Sequence, residues 1–249
     1  MSVLVVTGTG TGVGKTVVTA ALAALARSRG EAVAVVKPAQ TGLAPGEPGD
    51  LAEVRRLAAV SDLHELARYP GALSPEAAAR EAGRPPLDLG EAAGYVTTLA
   101  RARDLVLVEG AGGLLVRFGP GGETLAGLAQ RLDAPVLLVI EAGLGTLNGT
   151  ALTLEAMARR GLALAGVVIG AWPDDPGLAE RSNLTDLPTI IGGPLAGALP
   201  GGCAGVTPPE FTAIARAGLA ATFGGQFDSA EFGQRFTTSG TVRFTAGLT

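Results

Sequence analysis

"VLVVTGTGTGVGKT", residues 3–16, decides the fold. Four apolar residues read as a strand buried on both faces, a glycine-rich turn follows, and Lys15-Thr16 opens a helical pattern. That order of strand, glycine loop and helix is what a phosphate-binding loop requires. Glycines let the backbone N–H groups close around an anion, and the N-terminus of the following helix favours negative charge. In the common spelling G-x-x-x-x-G-K-[ST] the first glycine stands five residues before Gly14. Here Thr9 holds that place and Gly8 lies one further back, so the loop is one residue longer. Lys15 is expected at the β- and γ-phosphate oxygens and Thr16 at Mg²⁺, with Gly12, Val13, Gly14 and Val17 around the phosphates. No G-x-G-x-x-G can be placed in the loop, which excludes a dinucleotide turn, and a turn that merely packs a helix leaves the Lys-Thr pair without a reason.

Outward from this loop, apolar runs alternate with helical patterns: "AVAVV" at 32–36, "LVLV" at 105–108, "PVLLVI" at 135–140 and "LAGVVIG" at 164–170. Helices are expected at 16–29, 50–59, 91–103, 124–132, 149–160 and 208–217. Strands apolar on both faces and separated by helices predict a doubly wound α/β fold, with a mostly parallel sheet covered on both sides, like that of the P-loop NTPases. One such domain is expected over 1–223. The tail at 224–249 is Gly/Thr-rich with phenylalanines and no clear period, and no role is assigned to it. "SDLHELARY", 61–69, reads as a polar helical stretch in which His64, the only histidine, is structural.

Composition removes several classes of function. Hydrophobic residues make up 47% of the 249 but aromatics only 4%, so the positive hydropathy reflects alanine. The longest apolar stretches fall short of the roughly 20 residues that a spanning helix needs, so no membrane is expected. A net charge of −4 with interspersed signs gives no basic stripe for nucleic acid. The start of the chain carries no basic n-region or long apolar segment, and a cytoplasmic location is expected. The single cysteine, Cys203, cannot form an intramolecular disulfide and reads as a small loop or core residue.

Because ligands in such folds bind beyond the carboxyl ends of the strands, residues that follow strands are the candidates for chemistry. "LVLVEGAGG" ends a buried strand in Glu109, where an acid must be paired, and a Mg²⁺ ion is the expected partner. Gly110, Gly112 and Gly113 leave room for phosphate or substrate beside it, and Gly110, Ala111 and Gly112 are expected at the nucleotide. Asp50 is a second candidate ligand, with a helix N-cap as the equally plain alternative. "VVKPAQTG" brings Lys37 to the same sheet edge, where its ammonium could neutralise a transferring phosphoryl group and Thr41 could bond substrate; a solvated surface lysine is the alternative in isolation. "EAGLGTLNGT", 141–150, is a glycine-rich turn before a helix and read alone is a helix start.

Taken together and in order, "GTGTGVGKT", "KPAQTG", "GDLAEV", "EGAGGLLV" and "GLGTLNGT" resemble the dethiobiotin synthetases from Val3 to about Pro200. That family spells its loop with five residues between the glycines. The resemblance implies an ATP-dependent carboxylase and cyclo-ligase of biotin biosynthesis. It would join 7,8-diaminopelargonate and CO₂ into dethiobiotin through a carbamate and a carbamic-phosphoric anhydride, releasing ADP and phosphate. It further implies that Lys15 and Lys37 stabilise carbamate and phosphoryl charge, that Thr16, Asp50 and Glu109 hold Mg²⁺, and that Thr11 and Thr41 lie beside the diamine. Leu144, Gly145, Leu147 and Asn148 would reach across the two-fold interface of a homodimer to the substrate carboxylate. Ile169, Gly170, Pro200, Gly201 and Gly202 would flank the nucleotide, and Trp172 and Pro173 either line the base pocket or pack.

Two departures stand out. Gly10 and Gly12 fill the middle of the loop, where many members carry an acid. Gly170 stands where many relatives have an asparagine that reads the purine edge. A glycine offers no side-chain donor or acceptor, which predicts loosened nucleotide choice, with CTP or other triphosphates accepted beside ATP. Other P-loop functions fit less well. A partition or division-site ATPase would carry a further lysine at the place of Gly10, and a GTPase would need N-K-x-D where the nearest string is "NLTD" at 183–186. A cobyric-acid-type amide-forming enzyme generally appends a glutaminase domain, and too little chain follows Cys203 for one.

Overall fold

Every apolar run singled out above forms a strand in the computed structural model, which describes residues 2–203 and 205–237. The strands are β1 (Ser2–Gly8), β2 (Val33–Thr41), β3 (Leu63–Tyr69), β4 (Leu105–Glu109), β5 (Val136–Ile140), β6 (Leu164–Trp172) and β7 (Gly197–Pro200). They build one sheet in the order β3-β2-β4-β1-β5-β6-β7, and every pairing is parallel. The chain winds one way from β1 to β2 and β3, then the other way from β4 through β5 to β7. The reversal falls at the adjacent strands β1 and β4, where a doubly wound sheet opens a crevice for ligand.

The helices are α1 (Lys15–Ser28), α2 (Asp50–Ala58), α3 (Pro75–Glu81), α4 (Leu89–Ala100), α5 (Leu125–Arg131), α6 (Thr146–Ala158), α7 (Leu178–Ile191), α8 (Pro208–Gly218) and α9 (Ser229–Thr237). Alternate strand residues feed opposite cores: Val6, Val35 and Leu107 meet α1, α2 and α8, whereas Val5, Val36, Val106 and Val108 meet α4 and α5. The alanines of α1 permit this closeness, since Ala20, Ala21, Ala23, Ala24 and Ala26 are fully buried against the sheet. A third core under α7 joins Leu138, Ile140, Val167 and Ile169. Among the described residues no helix is long and apolar enough to cross a membrane.

The helix starts follow local chemistry. Asp88 accepts the N–H groups of Gly90 at 2.7 Å and Glu91 at 2.9 Å, which starts α4 ahead of the expected residue. Thr207 and Glu210 form a capping box before α8, with proline at its first turn. α6 begins three residues earlier than expected because Gly145, at φ 96°, turns the chain into it.

One expectation is corrected. The stretch around His64 is not helical but the edge strand β3, paired only with β2. Its polar residues have the i, i+3 spacing of a helix face, and the Glu65–Arg68 pair at that spacing closes in the strand as well, at 2.6 Å. An edge strand is solvated on one side, so it lacks the continuous apolar run that revealed its neighbours. His64 is half-buried there, between Asp62 at 2.7 Å and the Tyr95 hydroxyl at 2.8 Å.

Part of the unassigned tail also has a place. Phe232 and Phe236 of α9 lie 5.1 Å, centroid to centroid, from the ring of Trp172. Positions 238–249 of the tail lie outside the described residues. Trp172 is the only tryptophan, so its emission reports this contact alone. Phe232→Ala is expected to destabilise the fold by roughly 1–2 kcal/mol and to shift that emission to the red. Thermal melting and fluorescence spectra check both.

Candidate functional site

The phosphate loop runs from the end of β1 into α1, and Gly14 is its hinge. Gly14 is the N-cap of α1 at φ 93°, and a Cβ there would stand 2.7 Å from the carbonyl oxygen of Gly170. Only glycine satisfies both the left-handed backbone and the close approach. The contact is mutual, since a Cβ on Gly170 would fall 2.0 Å from the carbonyl oxygen of Val13. The tip of β6 is thus packed directly beneath the loop.

Three strands deliver the charged groups. Val36 of β2 is in register with Val108 of β4, so Lys37 and Glu109 emerge side by side one residue later; Glu109 itself is in register with Val6 of β1, ahead of the loop. The Lys37 ammonium is 3% exposed, donates to Glu109 Oε1 at 2.8 Å and to the Gly110 carbonyl at 3.0 Å, and pairs with Asp50. Glu109 is fully buried, and its Oε1 also accepts from the Thr16 hydroxyl at 2.9 Å. Its other oxygen, Oε2, is buried with no hydrogen-bond partner. Lys15 donates to the Gly10 carbonyl at 2.7 Å.

The two lysines are driven apart electrostatically. Burial, reinforced by the charge of Lys37, lowers Lys15 to about 8 against the opposing pull of Glu109 and Asp50. Lys37 is desolvated more completely, yet Glu109 and Asp50 overcome that and raise it above the usual lysine value. Lys37 therefore stays a cation throughout the neutral range, while Lys15 is the group that an arriving anion would recharge.

These groups open on one cavity of about 630 Å³. Of the residues expected from the sequence, it is lined by Thr11, Gly12, Gly14, Lys15, Thr16, Val17, Lys37, Thr41, Asp50, Glu109, Ala111 and Gly112. Asp50 does not cap α2, as its alternative reading had it: the N-cap is Gly49, and the Asp50 carboxylate is spent on Lys37. Val13 lies behind the loop, buried against Gly8.

The remaining candidates lie apart from this cavity. Ile169 is buried in the core under α7, so only its main chain could reach a ligand. Gly170 sits under the loop, β7 ends at Pro200, and Gly201 in the turn that follows, ahead of Gly202, donates to the Trp172 carbonyl at 2.8 Å. Leu144, Gly145, Leu147 and Asn148 form the start of α6, with Leu144 at 91% exposure. A second cavity of about 460 Å³ shares Thr11, Gly112 and Val116 with the first and runs to Leu115 and Leu152, both exposed.

Sequence reasoning missed Gln40, Ser74 and Pro75, which also line the first cavity. Gln40 lies inside the quoted "KPAQTG", and a polar residue in a strand otherwise buried on both sides was the available signal. Nothing local marks Ser74-Pro75, because α3 meets the cavity only through tertiary packing.

With the geometry in place, comparison with known proteins is informative. The model of the family described as "AAA domain" matches residues 2–202. The chain is 61% identical over 238 residues to the ATP-dependent dethiobiotin synthetase BioD of Frankia casuarinae, covering 96% of this chain and all of that one. It is 56% identical over 235 residues to the protein of the same name from Streptomyces coelicolor, covering 94% and 99%. Among solved structures, a ParA family ATPase from Chlorobium tepidum TLS superposes with a TM-score of 0.52 over 88% of this chain and 90% of that one. At 13% identity that likeness concerns the fold alone.

The lowered Lys15 yields a measurable consequence. A polyphosphate on the loop favours the ammonium form, so nucleotide binding at about pH 9 should take up close to one proton, and affinity should fall as the pH rises through about 8. Titration calorimetry in two buffers of different ionisation enthalpy checks it, with Lys15→Met expected to remove the proton uptake.

Proposed function

The chain belongs to the ATP-dependent dethiobiotin synthetase family, and on that premise we propose how its Lys37-centred cavity performs the reaction. The enzyme joins CO₂ to 7,8-diaminopelargonate and closes the ring of dethiobiotin, converting ATP to ADP and phosphate. One amine captures CO₂ as a carbamate, a carbamate oxygen attacks the γ-phosphorus with ADP leaving, and the second amine closes on the mixed anhydride and expels phosphate. The observation that carries the proposal is a buried Lys37, paired with Glu109 and Asp50, in the same cavity as the phosphate-loop Lys15 and Thr16.

Each anion formed along this path needs positive charge already in position, because a low-dielectric site strengthens charge pairing and leaves no water to rearrange. Lys37 faces the carbamate and the phosphoryl oxygens, and Lys15 faces the β- and γ-phosphates. Thr11 and Thr41 line the same cavity and offer hydroxyls to the diamine. No nucleophilic or proton-relaying triad is required, since phosphoryl transfer rests on positioning and electrostatics. The volume suits a triphosphate end and a small diamine together.

Thr16, Asp50 and Glu109 would hold Mg²⁺. The orphaned, fully buried Glu109 Oε2 fits that role, and one hydroxyl with two carboxylates is a hard-oxygen set that leaves places for nucleotide phosphates. Mg²⁺ when bound supplies charge neutralisation on the phosphates. The active unit in this reading is a homodimer in the cytoplasm. Leu144, Gly145, Leu147 and Asn148 reach the partner's substrate carboxylate, and the exposed Leu144, Leu152 and Leu115 supply the apolar surface such an interface needs. Ile169 and Gly170 together with Pro200, Gly201 and Gly202 flank the base through main chain. With no side chain at Gly170 to read the purine edge, CTP and other triphosphates serve beside ATP.

Mixing the protein with 7,8-diaminopelargonate, bicarbonate and MgATP should give dethiobiotin by mass spectrometry and phosphate in equal amount, dependent on all three inputs. Phosphate without dethiobiotin would sink the proposal. Lys37→Ala should lower kcat by roughly 100-fold or more while nucleotide affinity stays within a few-fold, because its charge serves the transition state. In competition at one Mg²⁺ concentration, ATP should be favoured over CTP by less than about 10-fold; a stronger preference would put base reading elsewhere in the pocket.

A further inference from the structure

Two side chains outside the reacting groups converge on the turn that delivers Asp50. Gln40, near the end of β2 and 5% exposed, accepts the backbone N–H of Asp50 on its Oε1 at 3.0 Å and donates from Nε2 to the Thr41 carbonyl at 3.3 Å. Arg68 of β3 stands opposite Gln40 in the strand register. Glu65 grips its guanidinium through Nε at 2.6 Å and Nη2 at 2.8 Å, while Nη1 donates to the carbonyls of Ala44 at 3.1 Å and Glu47 at 2.8 Å.

Between the two lies Gly49. A Cβ there would come within 2.7 Å of Gln40 Oε1 and 3.0 Å of Arg68 Nη2, so the turn rests directly on both side chains. α2 has no side-chain cap of its own, and Gln40 supplies the acceptor that a capping residue would otherwise give to a first-turn N–H. Asp50 is the first residue of that helix. Its carboxylate pairs with Lys37.

We propose that Gln40 is a positioning residue for the reaction, buttressed by Arg68, which fixes Asp50 against Lys37 and so sets the affinity of the cavity for Mg²⁺-nucleotide. This rests on the role given to Asp50 above. Capping a helix would by itself stabilise the fold, so the distinguishing readouts are metal dependence and coupling to Asp50 rather than stability.

Gln40→Met keeps the volume and removes the acceptor. Hydrogen exchange in the ligand-free protein should accelerate at the Asp50 amide, and the Mg²⁺ concentration for half-maximal turnover should rise roughly 10-fold, with kcat at saturating Mg²⁺ less affected. In an Asp50→Asn background the same substitution should add almost nothing. Arg68→Lys keeps the charge and loses the fork, and should act in the same direction more weakly, which provides a second route where Gln40→Met folds poorly. If Asp50→Asn alters the Mg²⁺ dependence while Gln40→Met does not, or if the two effects add, the positioning role is wrong and the role of Asp50 stands. If Asp50→Asn itself leaves Mg²⁺ dependence unchanged, the reading of Asp50 fails and the positioning role with it.

Discussion

The buried pair of Lys37 and Glu109 is the constraint on which the site depends. A carboxylate at zero exposure and an ammonium at 3% would each be prohibitively costly alone, and either left without the other would cost several kcal/mol. The pair is tolerable because further groups support it: the Thr16 hydroxyl donates to Glu109 Oε1, the Gly110 carbonyl accepts from Lys37, and Asp50 adds a second anion, which leaves Glu109 Oε2 as the one carboxylate oxygen of the pair without a partner among the described residues. These groups are far apart in sequence and are assembled by strand order. With β4 between β2 and β1, the carboxylate stands in the middle, the lysine on one side and the phosphate loop on the other. A one-residue slip of register would move one member to the opposite face of the sheet and strand the other.

Compensation before ligand arrives also shapes the energetics. Lys15 satisfies itself on the Gly10 carbonyl, and Lys37 satisfies itself on two carboxylates, so neither ammonium waits unpaired. A nucleotide must therefore replace interactions rather than add to an empty site. What favours the exchange is charge: Lys15, its basicity lowered first by burial and then by the Lys37 cation, would give up a neutral carbonyl for a charged phosphate oxygen.

The sequence was most legible where physics is local. Strand, glycine loop and helix at residues 3–16 could be read because every element of that motif is contiguous, and the five strands with apolar runs could be read because both faces are buried. β3 was hidden by its edge position, β7 by having only four residues, and α7 by an internal proline at 188. Lys37, Asp50 and Glu109 could be named because each follows an apolar run or opens a helix in a recognisable string, although β2 continues beyond Lys37 to Thr41 and β4 includes Glu109. Gln40 and Arg68 could not, since what they hold is backbone supplied by other segments. Gly170 shows the opposite case. The sequence presents it as a missing side chain, whereas the structure gives a steric reason for its absence, the Val13 carbonyl.

That contact extends the site further than the ligand-lining residues suggest. The loop rests on Gly170, β6 continues two residues to Trp172, and Trp172 is enclosed by Phe232 and Phe236 of α9. Trp172 in turn accepts the Gly201 N–H in the turn after β7. Close-packed contacts thus run continuously from α9 through Trp172 and β6 to the backbone beneath Gly14. Asp50 and Lys37 depend on a separate support, the β2–β3 edge that carries Gln40 and Arg68. In the strand order β4 and β1 lie between these two supports, so Glu109 and the phosphate loop, where the proposed phosphoryl transfer would occur, are held from both sides.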